Sequence, residues 1–329
     1  MYQTRALAGS GMLLVLLIAL SLMLGAQSIS LSDVYHAVTT TCGSADCVIV
    51  REARLPRTLA GLLAGVALGL AGALMQSLTR NPLADPGILG VNAGASFAVV
   101  LGMAWFNAHT PAEWLAFAFS GALLASLLVS MTGAIGGGRV NPVRLTLAGV
   151  ALSAVLEGLT SGISLLNPDI YDHLRFWHSG SLDIRSFTSL RTLWPAVALG
   201  SVVALCLSQA LNSLSMGGDM ATALGTRVAR TQLLGLLAIA LLCGAATAAV
   251  GPIAFVGLMT PHLARWLVGN DHRWLLPATA LVTPILLLTA DIIGRLLVPG
   301  ELRVSIVTAM LGAPMLIVLV RRKLARGAV

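Results

Sequence analysis

The stretch Thr58-Leu-Ala-Gly61-Leu-Leu-Ala-Gly65-Val-Ala-Leu-Gly69-Leu-Ala-Gly-Ala-Leu-Met-Gln-Ser-Leu78 decides the fold. It carries no charge, and it matches the length of about 20 residues with which a helix crosses roughly 30 Å of hydrocarbon. Gly61, Gly65 and Gly69 recur every four residues, which places them on one smooth helical face where a second backbone can come close. Working outward, similar runs follow on both sides, and ten fit: 7–26, 58–78, 88–106, 113–134, 143–166, 190–211, 231–250, 252–268, 276–297 and 304–320. The whole chain is 57% hydrophobic and 10% charged, too apolar for a soluble core to be wrapped in polar side chains. The expectation is an all-α, polytopic membrane protein of about ten transmembrane helices, with residues 1–329 forming a single transmembrane domain. The first run, between Arg5 and Gly25-Ala26-Gln27, is long for the core of a cleaved leader and reads as a span.

Orientation follows from the basic residues. With both termini cytoplasmic, twelve of the 20 lysines and arginines fall inside, and Arg321-Arg322-Lys323 forms the strongest anchor. The net charge of +7 therefore reflects topology and does not call for nucleic acid as a partner. Cys206 and Cys243 lie in apolar runs and read as packing residues. Cys42 and Cys47 bracket a short loop on the outer side, where an oxidising compartment permits a disulfide. They are too few to build a metal site alone, and the six scattered histidines show no ligand spacing.

Several chemistries lack their residues. The single lysine, Lys323, follows arginines where a phosphate-binding loop needs glycine, so any ATP hydrolysis must reside in another polypeptide. No Gly-x-Ser-x-Gly elbow is present either. Within the apolar runs Glu157 and Asp291 are the ionisable residues, and an intramembrane carboxylate is a functional candidate because burying it is costly. Two readings stand. They are proton relays of a secondary transporter, or they are satisfied by neighbours, Asp291 by Arg295 one turn away.

Other segments suggest a bundle that moves and has partners. Gly251-Pro252-Ile-Ala-Phe-Val-Gly257-Leu-Met-Thr-Pro261-His262 interrupts an apolar run in the way broken helices do beside a cavity, or as a kinked packing helix does. Asn81-Pro82-Leu-Ala-Asp85-Pro86-Gly87 forms a rigid inner turn. The inner stretch from Gly217 to Arg230 reads as one or two short helices, capped at Asp219 and stopped near Gly225. On the outer side Arg51, Arg54, Arg57, Arg295 and Arg303 make a cationic rim, which either anchors helix ends or meets carboxylates and steers an anionic solute.

Arg54-Leu-Pro56-Arg57-Thr-Leu-Ala, Ala71-Gly72-Ala-Leu-Met75-Gln76 and Asn81-Pro82-Leu-Ala-Asp85-Pro86-Gly87-Ile-Leu-Gly90-Val together resemble the iron-siderophore and vitamin B12 permeases of type II ABC importers. The Gly251 to His262 run, Asp271-His272-Arg273, Ala290-Asp291-Ile and Leu311-Gly312-Ala313-Pro314 continue the likeness over nearly the whole chain. Cys42-Gly-Ser-Ala-Asp-Cys47 and the run from Leu174 to Arg185 resemble the branch that carries ferric enterobactin. The resemblance implies a non-enzymatic subunit of the bacterial inner membrane with no cofactor of its own. Its implied partners are a homologous second permease subunit in a heterodimer, two ATPase subunits that use ATP, and a periplasmic siderophore-binding protein. The implied cargo is a ferric siderophore, with haem or vitamin B12 as alternatives. Arg54, Arg57 and Arg295 match the family's docking arginines. Gly217, Gly218, Asp219, Ala221, Leu224, Gly225, Arg227 and Arg230 match its ATPase-coupling element. The path would be lined by the fifth span, by the segment from Asp169 to Leu182, and by parts of the eighth and tenth spans.

Overall fold

The structure, a computed structural model, describes residues 2–25, 27–40, 43–134, 141–184, 187–298 and 301–327. Every regular element among them is helical. In order they are α1 (Tyr2–Met23), α2 (Leu31–Thr39), α3 (Ala45–Val48), a π-helical segment Ile49–Arg54, α4 (Leu55–Thr79), a 3-10 turn Pro86–Leu89, α5 (Val91–Trp105), α6 (Pro111–Ala134) and α7 (Pro142–Leu166). There follow α8 (Pro168–His178), α9 (Phe187–Cys206), α10 (Ser208–Ser215), α11 (Gly218–Ala223), α12 (Val228–Val250), α13 (Val256–Val268), α14 (His272–Leu297) and α15 (Val304–Gly327). Among the described residues seven helical runs are long and apolar enough to cross a membrane: α1, the run Ala45–Thr79, α6, α7, α9, α12 and α14.

At the centre stands α4, whose 18-residue apolar window is 78% buried inside the protein. A helix this apolar all round belongs in the middle of a bundle. Its small residues let neighbours close in. A Cβ on Gly65 would lie 2.7 Å from the backbone N and Cα of Pro284 in α14, one on Gly69 would lie 2.0 Å from Oγ1 of Thr283, and one on Gly61 would meet Leu288 at 2.9 Å. The three glycines therefore face α14. The sequence reading omitted Gly72, where a Cβ would sit 1.9 Å from the carbonyl oxygen of Gly257 on α13.

Several boundaries differ from those expected. The residues before α4 are helical from Ala45 onward, with Ser44 as N-cap accepting from the backbone N–H of Cys47. The expected eighth span, 252–268, has no helix until Val256. Gly251 at φ 73° and Phe255 at φ 67° turn the chain, and Pro252 lacks the N–H a helix would use. The 13 residues of α13 rise about 20 Å at 1.5 Å per residue, short of a full crossing. The expected sixth span, 190–211, breaks at Leu207 into α9 and α10. Asp219 does not cap α11. Gly217 does, at φ 112° and ψ 152°, a conformation open to glycine, and Asp219 lies inside the first turn. Of the two cysteines read as packing residues, Cys206 is exposed and Cys243 is buried.

Candidate functional site: two ends of the bundle

One end gathers the arginines. Pro56 starts α4, and Arg57 one residue later points at α14, where it grips Asp291 from Nε at 3.0 Å and from Nη2 at 2.8 Å. Arg295, one turn beyond Asp291, holds its other oxygen at 3.0 Å. Asp291 thus lies between two guanidiniums, accepting charge-assisted hydrogen bonds from Arg57 and pairing electrostatically with Arg295, which can offset its desolvation. Glu301 adds a second carboxylate, 2.6 Å from Nη1 of Arg57, and is 41% exposed. Arg54 and Arg295 also reach the chain around the end of α1, although the buried Nε of Arg295 has no hydrogen-bond partner. Arg54 donates to the carbonyls of Leu22, Met23 and Gln27. Arg295 donates to the carbonyls of Ser21 and Leu24 and to the Ser21 hydroxyl. These are carbonyls at the end of α1, which the helix cannot satisfy by itself.

Arg54, Arg57 and Arg295 therefore come together as expected for one cluster, but each is buried, at 6%, 8% and 7% exposure. They border a cavity of about 290 Å³ that Glu301 and Asp183 also line. The sequence reading missed Glu301 and Ser21. Glu301 lies 244 positions from Arg57, and no local pattern announces such a pair. Cys47 of the neighbouring α3 is disulfide-bonded; Cys42, its expected partner, lies outside the described residues. Of the two carboxylates weighed as relays, Asp291 is locked between arginines, while Glu157 is exposed on α7.

The opposite end carries α10 and α11. Ala221 packs inward at 0% exposure while Asp219, Arg227 and Arg230 stay exposed, and Gly225 ends the short helix at φ 82°. Met216, Met220 and Leu224, spaced four apart, are 65%, 50% and 59% exposed. Met216 and Leu224 bracket α11 and Met220 lies within it, so the three form an exposed apolar patch at this end of the bundle. Leu224 was anticipated and the two methionines were not, although the i, i+4, i+8 spacing was legible. Asn212 braces this end. It donates to Asp271 at 2.6 Å and accepts from the backbone N–H of His272 at 2.9 Å. The backbone N–H of Arg273 and the Asn212 amide hold the Asp271 carboxyl below the usual carboxylate range.

The chain is thus a helical bundle with a charged cluster at one end, exposed apolar side chains at the other, and a broken α12–α13 connection between. Residues 13–322 match the FecCD transport family. The chain belongs to that family. It is 69% identical over 327 residues to the ferric enterobactin transport system permease protein FepD of Escherichia coli K12, covering 99% of this chain and 98% of that protein. The siderophore transport system permease YfiZ of Bacillus subtilis is 39% identical, with 94% and 93% covered. A solved structure, described as inward-facing and of the metal-chelate ABC-transporter type, superposes with a TM-score of 0.84 at 31% identity over 97% of this chain.

In this FecCD chain, α7 is left open. Leu147, Val150, Val155 and Leu159 are exposed, and added Cβ atoms on Gly158 and Gly162 would meet nothing within 4 Å. From α7 the chain runs directly into α8. The end of α8 is stitched to the break between α12 and α13 by the Ser181 N–H on the Val250 carbonyl at 2.9 Å. It is joined to α15 by the Ser305 hydroxyl on the Ser179 carbonyl. The segments expected to line a path thus abut one another.

Proposed function

We propose that this chain is the permease subunit of an ATP-binding-cassette importer that carries ferric enterobactin across the bacterial inner membrane by alternating access. The observation that carries this reading is the 69% identity with the enterobactin permease over 99% of the chain. In this reading the chain crosses the membrane about ten times as one domain, with α5, α15 and α13 joined to the non-helical residues 251–255 before it completing the seven long runs, and both termini in the cytoplasm. The arginine end then faces the periplasm and the α11 end the cytoplasm. The open face of α7 meets a homologous second permease subunit. ATP is consumed by two partner ATPases, and this chain binds no cofactor. ATP-driven uptake into vesicles holding the complete complex, unaffected by a protonophore, is the expected result. Uptake that follows the proton gradient and ignores ATP would instead establish a secondary transporter.

The stripe of Met216, Met220 and Leu224, with the coupling stretch from Gly217 to Arg230, is where the ATPase presses. Met220→Glu combined with Leu224→Glu places two charges in that contact. It should weaken ATPase binding by about 2 kcal/mol or more, roughly thirtyfold, because desolvated anchors dominate such interfaces. Titration of the ATPase onto the purified permease pair measures this. An unchanged affinity removes the coupling role from this surface.

The binding protein docks over the cavity beside Arg54, Arg57 and Arg295, its carboxylates competing with Glu301 for Arg57. Glu301→Gln leaves the cavity one unit more positive and should tighten docking by about 1 kcal/mol, roughly fivefold, with the gain shrinking at high salt. Salt-dependent binding of the partner protein to the reconstituted complex provides the measurement. A docking constant indifferent to this change would place the contact elsewhere.

A further inference from the structure

Arg303, like Arg51, belongs to neither the buried cluster nor the lining of the cavity, but where Arg51 is spent on the Ala37 and Thr40 carbonyls, Arg303 stands against an aromatic ring. Its guanidinium lies 5.1 Å from the ring centroid of Phe176, and Arg175 approaches the same ring at 5.1 Å. Phe176 is 56% exposed, an aromatic ring left in the open at the end of α8 with two cations against it. A guanidinium stacked on a ring still presents its N–H edge to an anion. Arg303 has no carboxylate partner among the described residues; Nη1 donates 2.6 Å to the Phe176 carbonyl. Arg175 has only Asp172 at 3.7 Å, an ion pair with both side chains more than half exposed and therefore weak.

The unit also has a firm backing. Besides the Ser181 and Ser305 bonds, Gly180 at φ 47° brings its backbone against Pro252, where an added Cβ would meet the carbonyl oxygen at 2.4 Å. The three side chains are thereby held where the end of α8, the start of α15 and the α12–α13 break converge. Two guanidiniums with one weak, exposed carboxylate between them, an open ring and a fixed frame suit a ligand that is at once anionic and aromatic.

We propose that Arg175, Phe176 and Arg303 form an outer receiving site for an iron(III) tris-catecholate, holding its negative charge on the guanidinium edges and stacking a catecholate ring on Phe176. This rests on the importer reading above and adds to it the place and chemistry of first contact. The site selects against neutral chelates such as iron(III) tris-hydroxamates, which offer neither the charge nor the rings.

The test uses the complete reconstituted complex in two assays: ATP-driven uptake of iron(III) tris-catecholate with the binding protein present, and tryptophan quenching by that chelate without it. Trp177, beside Phe176 in sequence, reports the second. Arg175→Ala with Arg303→Ala should raise KM and the quenching Kd roughly tenfold while kcat stays within about twofold, the signature of lost binding without lost chemistry. Phe176→Leu should raise both about threefold and leave the salt dependence of quenching intact, whereas the arginine pair abolishes it. A neutral iron(III) tris-hydroxamate should quench no variant. If the double alanine variant does not assemble, Arg175→Lys with Arg303→Lys retains the charge and should lose only severalfold. KM and Kd that stay at the parental values in the arginine and Phe176 variants overturn the receiving site while leaving the importer intact. Failure of the unaltered complex to take up the catecholate overturns the importer reading itself.

Discussion

Asp291→Ala is expected to leave little folded permease. Its side chain is 1% exposed, and the side chains of Arg57 and Arg295 with which it pairs are 10% and 3% exposed. Without the carboxylate, Arg295 keeps only neutral oxygens, and Arg57 keeps Glu301 at the rim. Breaking a buried ion pair from one side costs on the order of 3–5 kcal/mol, because a charge is left desolvated without its partner. That is a large part of the margin by which proteins stay folded. Loss of thermal stability in the detergent-purified complex reads the effect directly. A compensating set, Asp291→Leu with Arg57→Met and Arg295→Met, removes the charges together and should recover most of it, since apolar replacement of a buried network is often neutral. A proton relay at Asp291 makes the opposite forecast: normal folding, with transport lost. Parental stability in Asp291→Ala would show that the ion network does not hold α1, α4 and α14 together.

How legible this was depends on the distance along the chain over which each interaction acts. Arg295 satisfying Asp291 is a matter of one helical turn and could be read from the sequence, whereas the stronger grip comes from Arg57, 234 positions away. The apolar runs were found because hydropathy is a property of a window, yet their ends were set by single residues. Pro252 announced a break; that the helix would not resume until Val256 depends on Phe255 adopting a positive φ. At α11 the acidic residue looked like the cap because side-chain oxygens commonly take that place. Gly217 took it instead, with backbone angles that Asp219 could not share. The arginine rim was read as a surface because charge usually is. Here the carbonyls around the end of α1 draw Arg54 and Arg295 inward.

The glycine face of α4 yields a graded expectation, set by what each added methyl would strike. At Gly61 the obstacle is the end of the Leu288 side chain, which can swing away, so Gly61→Ala should cost little. At Gly69 it is Thr283 Oγ1, already bonded to the Thr279 carbonyl at 2.7 Å and to Thr260 at 3.0 Å; Gly69→Ala should cost about 1–3 kcal/mol, the usual range for overpacking. At Gly65 it is the backbone of Pro284, in the middle of α14, and no rotamer can relieve a contact at 2.7 Å. Gly65→Val must therefore push α4 and α14 apart. Because Asp291 and Arg295 ride on the same α14, the separation would also pull the ion network out of register. The cost should exceed about 3 kcal/mol, beyond the ordinary overpacking range. Gly11→Ala, on α1 with nothing within 4 Å, is the control and should leave stability unaltered or slightly raised, as glycine to alanine in an open helix does. Thermal unfolding of the four variants in one detergent gives the order. If Gly65→Val proved as stable as Gly61→Ala, the close crossing of α4 and α14 would be wrong, and with it the placement of Arg57 against Asp291.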